Sequence, residues 1–390
     1  MRAVILIPIF LILFLSIGVY EMLNHKKAIN AIPIRINING IRGKSTVTRL
    51  TNGILKEAGY KTIGKTTGTS ARMIYWDKPE EPILRRPEGP NIREQRLVVQ
   101  EAADLGADAL VSECMAVNPD YQIVFQNKLL KANIGVIVNV LEDHLDVMGP
   151  TLDQIADAFL ATIPYNGTLI LSESPYVDFF TTEANKRNTK VIVANNAAVP
   201  ESFLNKFNYM VFPENAALAF AVAQALGISQ TIAVKGMLKA TPDPGAMRIH
   251  SLKTKYGKGS FINAFAANDP SSTLNIWNRI LKQGYSSKNS VIIMNCRNDR
   301  VDRTIQFVED VLPHIDISTL ILIGTTVGPV LNAVNNKLIK VDELLNLEHQ
   351  TTTEVFHVLE KKLNNNIVFG LGNIHGAAEP LIELIVDEEN

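Results

Sequence analysis

The hydrophobic pattern of the chain changes character twice. Residues 3–20, AVILIPIFLILFLSIGVY, form an apolar run without a charge, close to the length a helix needs to cross a hydrocarbon core. His25, Lys26 and Lys27 follow it, and only Arg2 and the α-amine precede. Dibasic residues just past the run disfavour a cleaved leader, and their placement puts the residues after 25 in the cytoplasm. The run therefore predicts a membrane anchor over 1–27, with a cleaved signal or a peripheral hairpin as the alternative.

From residue 34 onward, short strand-like runs alternate with helical ones. The strand candidates are 34-IRINING-40, 109-ALVSECM-115, 134-IGVIVNV-140, 168-TLILS-172 and 190-KVIVA-194. Helical periodicity marks 45–59, 92–106, 152–163 and 214–228. Such alternation predicts a parallel sheet covered on both faces. The pattern breaks at 241-TPDPGAM-247 and then resumes with 259-GSFINAFA-266, 290-SVIIMN-295, 319-TLILIG-324 and 366-NIVFGLG-372. The expectation is an α/β protein: an anchor at 1–27, a mostly parallel P-loop domain at 28–244, and a smaller α/β domain at 245–390. The charged, proline-rich segment 76–94 reads as a loop over the first domain.

Composition narrows the function classes. With 46% hydrophobic and 20% charged residues, the chain is neither disordered nor a multi-span membrane protein. Its net charge of −1 supplies no field to recruit nucleic acid. The two cysteines, Cys114 and Cys296, have no metal-binding spacing, and Cys114 reads as core.

The chemistry begins at Gly40-Ile41-Arg42-Gly43-Lys44-Ser45-Thr46, where a strand hands over to a helix. Glycines there let backbone N–H groups approach phosphates, the helix N-terminus favours anions, and Lys44 can reach the β and γ oxygens. Ser45, or Thr46 beside it, offers a hydroxyl to Mg²⁺. Only the short G-x-x-G-K-S form is present, because Ile38 stands where a longer loop has glycine. Glu113 closes a strand at the sheet edge where open α/β folds bind ligands, as a metal ligand or a salt-bridged cap. In 139-NVLEDHLD-146, Asp143, His144 and Asp146 gather after another strand, as a metal or acid–base group or a solvated turn. Asn215 can read a base or cap its helix. Arg248 follows the proline-rich break, and Asp269 lies at a strand end. Arg297 and Arg300 are an anion site or a solvated turn, and 370-GLGNIHG-376 marks a close backbone approach.

Taken in order, these segments resemble the Mur ligase family of ATP-dependent amide-forming enzymes. Within it, NGIRGKSTVTRL at 39–50, SECMAVNP at 112–119, EDHLDVMGPTLDQIADAF at 142–159 and ATIPYNG at 161–167 are similar to the ligase subunits of capsular poly-γ-glutamate synthases. The resemblance implies ATP and Mg²⁺, for which Mn²⁺ can substitute, and an acyl-phosphate intermediate. It implies that Ser45 and Glu113 hold one metal and His144 a second. It also implies that Asn215 meets adenine, Arg248 the γ-phosphate and Asp269 the ribose. Glutamate and the growing polymer would be the substrates, and membrane-integral subunits the partners. The sequence departs from many relatives in one respect. No lysine occurs between Lys131 and Lys186, where those enzymes carry a carbamylated one, so Asp146 or Asp157 would have to substitute. The short lead before the loop argues against a UDP-sugar substrate.

The leading expectation is thus a membrane-tethered glutamate-polymer ligase. A polyanionic product calls for cations near the cleft; Arg72, Arg85, Arg86, Arg93 and Arg96 are the candidates, or else a solvated basic loop. The alternatives are a folylpolyglutamate-type ligase and a tethered ATPase that powers export without forming amides.

Overall fold

The computed structural model describes residues 2–68, 70–85, 91–243, 246–267 and 269–389, with side chains over 10–388 of these. The chain forms two compact units, Met1–Lys206 with Val211–Pro244, and Phe207–Met210 with Gly245–Asn390.

The first unit opens with a 30-residue helix, Arg2–Ala31. Its last turns are docked: Ala28, Ile29 and the following Ile32 are buried, and His25 Nε2 lies 2.9 Å from Leu129 O. Burial holds His25 below the usual imidazole pKa, so the ring packs uncharged. Arg35 donates through Nε to Lys131 O at 3.0 Å and through Nη1 to Ile29 O at 3.4 Å, tying the helix end to the sheet. The membrane span expected over 1–27 is not supported. Among the described residues no helix is long and apolar enough to cross a membrane. Residues 1–9 lie outside the described side chains. Phe10–Tyr20 alone covers about 16 Å at 1.5 Å per residue, about half of a hydrocarbon core. Glu21 then pairs with Arg96 at 2.8 Å, and the chain is committed to the globular unit.

Eight strands make the sheet of this unit: β1 Ile34–Asn39, β2 Thr62–Lys65, β3 Arg72–Ile74, β4 Glu81–Pro82, β5 Ala109–Glu113, β6 Ile134–Ile137, β7 Thr168–Leu171 and β8 Lys190–Val193. Their order is β4-β3-β2-β5-β1-β6-β7-β8. The pairs from β2 to β8 are parallel, whereas β3 and β4 fold back antiparallel, so the sheet is mixed rather than wholly parallel. Ile38 pairs with Glu113 on one side and Val136 on the other, so β1, β5 and β6 end nearly level. This is the point at which the strand order reverses, where open α/β sheets bind ligands. Ile36 and Ile38 fill one face of β1 without exposure. On its other face Asn37 donates to Gln126 Oε1 at 3.1 Å, and Asn39 to Gln122 Oε1 at 2.8 Å and Thr162 Oγ1 at 2.9 Å. Asn39 is thereby satisfied, its Oδ1 accepting from Gly40 N at 2.9 Å, whereas the buried Asn37 Oδ1 has no hydrogen-bond partner among the described residues.

The helix Lys44–Glu57 starts from β1 and packs on the helix Gln230–Lys239 through two glycines. A Cβ on Gly236 would stand 2.5 Å from Ile54 Cα and 2.6 Å from Gly53 O; one on Gly53 would stand 2.4 Å from Gly236 O. The backbones meet with no room for a methyl group.

In the second unit the strands are β9 Ile249–Thr254, β10 Gly257–Asn263, β11 Val291–Cys296, β12 Thr319–Gly324, β13 Glu343–Glu348 and β14 Ile367–Gly372. Their order is β13-β12-β11-β14-β10-β9, parallel except for the β9–β10 hairpin. Trp277 stands edge-on to Phe369 at 5.3 Å in its core. The glycines of 370–376 serve packing within this unit. A Cβ on Gly370 would meet the Phe265 ring at 2.5 Å, and one on Gly372 would meet Asn295 O at 2.6 Å.

Gly236→Ala should therefore destabilise the first unit by about 2 kcal/mol, typical of an overpacked core. That corresponds to about 4–8 °C in Tm for a unit of this size, read by thermal unfolding.

Candidate active site

The loop between β1 and the helix Lys44–Glu57 is shaped by its neighbours. Gly43 caps the helix with φ of 87°, a left-handed conformation that glycine adopts without strain. A Cβ there would also strike the Asn215 side chain, 2.5 Å from Oδ1. Asn215 lies in the first turn of the helix Pro213–Ala225, whose N-cap is Phe212, so it is not the helix cap, and its amide lies against Gly43 of the loop. Lys44 Nζ donates to Gly40 O at 2.8 Å and Ile41 O at 3.0 Å, which holds the ammonium over the loop. Thr46 follows half-buried in the first helical turn.

Asn139 fixes the loop from the other side. Its Oδ1 accepts from Ile41 N and Arg42 N, both at 3.0 Å, and its Nδ2 donates to Arg42 O at 2.9 Å. Sequence reasoning passed over this residue. The signal was its position after β6, level with the loop, in the same segment that drew notice for Asp143, His144 and Asp146.

Glu113 ends β5 almost wholly buried. Ser45 Oγ donates to its Oε2 at 2.9 Å, Thr67 N donates to the same oxygen at 2.9 Å, and Thr67 Oγ1 donates to Oε1. A hydroxyl and a carboxylate oxygen 2.9 Å apart are the hard ligands Mg²⁺ takes, and the donor set fits that ion.

Gly40, Ile41, Lys44, Thr67 and Glu113 line a cavity of about 560 Å³ together with Arg42, Arg85, Cys114, Asp143 and His144. Arg42 pairs with Asp143 at 3.3 Å. His144, with φ of 51°, is half-exposed at the cavity wall, its Nε2 3.9 Å from Asp143 Oδ1. Among the described residues no three histidine, cysteine or carboxylate side chains gather as a metal cluster. Glu113 and His144 both line this cavity. Burial pushes the Cys114 thiol up to about 11, so it is a core group and not a nucleophile.

Of the candidate cations, Arg85 lines this cavity, whereas Arg72 stands 3.8 Å from Glu80, Arg96 pairs with Glu21, and Arg93 precedes the helix Glu94–Asp104. Arg86 lies outside the described residues. Two further candidates belong to the second unit. Arg248 precedes β9, and its carbonyl accepts from Asn263 N at 3.4 Å. Asp269 caps the helix Pro270–Lys282, accepting from Ser272 N at 2.8 Å. There too, Arg297 forks onto Asp299 at 2.9 and 2.6 Å, and Arg300 is the N-cap of Val301–Asp310. The solvated-turn reading accounts for Arg297.

Comparison with known proteins meets this geometry. Residues 38–236 match the Mur ligase middle domain, and residues 249–388 match the poly-gamma-glutamate synthase CapB C-terminal domain. The chain is 62% identical to the PGA synthase CapB of Bacillus subtilis, over 95% of each chain. It is 60% identical to the capsule biosynthesis protein CapB of Bacillus anthracis, over 98% of this chain and 82% of that one. A structure of E. coli FolC in complex with ADP shares the fold, with a TM-score of 0.65 at 14% identity over 95% and 94% of the two chains.

The Asn139 contacts make a local prediction. Asn139→Ala removes three hydrogen bonds that shape the loop, at a cost of about 2 kcal/mol in its preorganisation. Steady-state kinetics should show roughly a thirtyfold loss in kcat/KM for ATP, with little change in Tm.

Proposed function

We propose that this chain, which belongs to the CapB family of poly-gamma-glutamate synthases, is built on a Mur ligase middle domain and is thus an ATP-dependent, ADP-forming amide ligase, extends poly-γ-glutamate. It would join the γ-carboxylate of a growing chain to the amine of a further glutamate. The observation that carries this reading is the cavity lined by Lys44, by Glu113, which accepts from Ser45, and by Gly40, Ile41 and Arg42 of the loop that Asn139 pins.

The chemistry has two steps. An oxygen of the substrate γ-carboxylate attacks the γ-phosphorus of ATP, the bond to ADP breaks, and an acyl phosphate forms. The amine of glutamate then adds to the acyl carbon, phosphate leaves with the bonding pair, and the nitrogen loses a proton to give the amide. Negative charge grows on the phosphoryl oxygens in the first step. Lys44 and the loop N–H groups, oriented in advance by Asn139, are positioned to stabilise it. Ser45 and Glu113 would hold Mg²⁺, which supplies further charge neutralisation on the phosphates. Asn215 flanks the loop as the nucleotide-side contact. The cavity wall of Cys114, Met115, Ala116 and Val117 limits water, which would otherwise hydrolyse the acyl phosphate.

We further place the enzyme at the inner face of the cell membrane, beside membrane-integral partner subunits. Exposed apolar side chains from Phe10 to Leu23, followed by Lys26 and Lys27, support that placement.

Two measurements test these readings. Phosphate release should depend on glutamate and match amide formed, and Lys44→Ala should lower both at least a hundredfold while the fold persists. ATP hydrolysis indifferent to glutamate would instead mark an ATPase that powers export. In fractionated cells the full chain should sediment with membranes and a chain lacking residues 1–24 should not; equal distribution of the two would sink the membrane placement.

A further inference from the structure

Arg85 has no task in the phosphate chemistry above, yet it faces the same cavity. Its Nε donates to Glu94 Oε2 at 3.0 Å, its Nη2 to Glu94 Oε1 at 3.5 Å, and its Nη1 to Gly68 O at 2.8 Å. The Glu94 carboxylate serves a second cation as well, because Lys65 Nζ lies 3.0 Å from its Oε1. Burial alone would raise the Glu94 pKa, but the Arg85 hydrogen bonds and the Lys65 charge outweigh it and hold the carboxyl below its usual range. Lys65 has no exposed surface at all.

Two cations share the Glu94 carboxylate, and Lys65 faces Glu113 as well, so Glu94 is not committed to Arg85 alone. Lys65 is enclosed, and of the two cations it is the Arg85 guanidinium that lines the cavity. That group has five N–H donors, of which three are engaged. The remaining two lie one on each terminal nitrogen, an arrangement suited to both oxygens of a carboxylate. Arg42, the other guanidinium of the cavity wall, is already paired with Asp143. Glu94 acts here as a positioning residue: it fixes the plane of the Arg85 fork.

The substrate of the proposed reaction supplies a matching group. When the γ-carboxylate of a terminal glutamate is phosphorylated at the loop, the α-carboxylate of the same unit stays charged and enters the cavity with it. A charge brought there without a partner would weaken binding strongly. We propose that Arg85 binds the α-carboxylate of the glutamate unit whose γ-carboxylate is being activated, so that the enzyme selects a chain end with both carboxylates free. This assignment rests on the glutamate-ligase reading.

The test compares two short γ-glutamyl primers, one ending in glutamate and one whose terminal α-carboxylate is an α-carboxamide. Amide formation is measured with wild type, Arg85→Gln and Arg85→Lys. Wild type should prefer the free carboxylate by about thirtyfold or more in kcat/KM. Arg85→Gln should raise KM for the glutamate primer by a similar factor, leave KM for ATP unchanged, and use the two primers about equally. Arg85→Lys keeps the charge without the fork and should fall between, and it carries the test if the glutamine variant unfolds. Retained discrimination in Arg85→Gln, or a change confined to KM for ATP, would overturn the assignment. A wild-type enzyme that makes amide from neither primer refutes the ligase reading itself, and the assignment with it.

Discussion

The site depends on one constraint, the level ending of β1 with β5 and β6. Because Ile38 pairs with Glu113 and Asn39 with Ile137, the loop after β1 emerges between two strand ends that each deliver a polar side chain. Glu113 meets the helix side of the loop through Ser45, and Asn139 meets its backbone N–H groups on the other. A slip of one residue in either ladder would turn these side chains to the opposite face of the sheet. The interior of β1 then has to be both apolar and hydrogen-bonded, which explains why Ile36 and Ile38 alternate with amides that find glutamine partners.

Around that frame, charge is distributed in pairs. Arg42 is paired with Asp143, while Glu113 accepts from Ser45 and Thr67. Lys65 and Arg85 share Glu94. The cavity wall thus carries Lys44 and Arg85 beside Glu113. An enzyme that brings a polyanionic nucleotide and a dicarboxylate together needs such cations, because the two substrates otherwise repel each other.

Much of the fold was legible in the chain. The apolar runs at 34–40, 109–115, 134–140 and 168–172 all became strands, since β-branched residues bounded by glycine or polar turns leave little else to form. The short strands β3 and β4 were not legible; two or three residues carry no period, and only the pairing of β3 with β2 and of β4 with β3 makes them strands. The placement of the G-x-x-G-K-S loop between a strand and a helix could be read, as could that of Glu113 at a strand end, because the local pattern sets both. Asn139 and the Lys65–Glu94 pair could not. An asparagine in a strand end and a lysine in an apolar stretch look like ordinary surface residues until the topology encloses them. The apolar run at 3–20 read as a span from its own composition, whereas the docking of Ile29 and Ile32 at the far end of the same helix is a tertiary event that the run does not encode.

The contact between Gly53 and Gly236 has a consequence for how such enzymes can be recombined. The helix whose first turn shapes the phosphate site carries, three turns on, the backbone of the helix Gln230–Lys239. Buried Arg49, on the same helix, holds the chain that follows by Thr241 O at 3.2 Å and Asp243 at 3.5 Å. The residues up to Asp243 are therefore part of the nucleotide unit by packing as well as by sequence. A chimera that imports a second unit from a relative must keep this host segment and make its junction beyond Asp243. A junction drawn earlier would replace one half of a backbone-to-backbone fit that no side chain can repair.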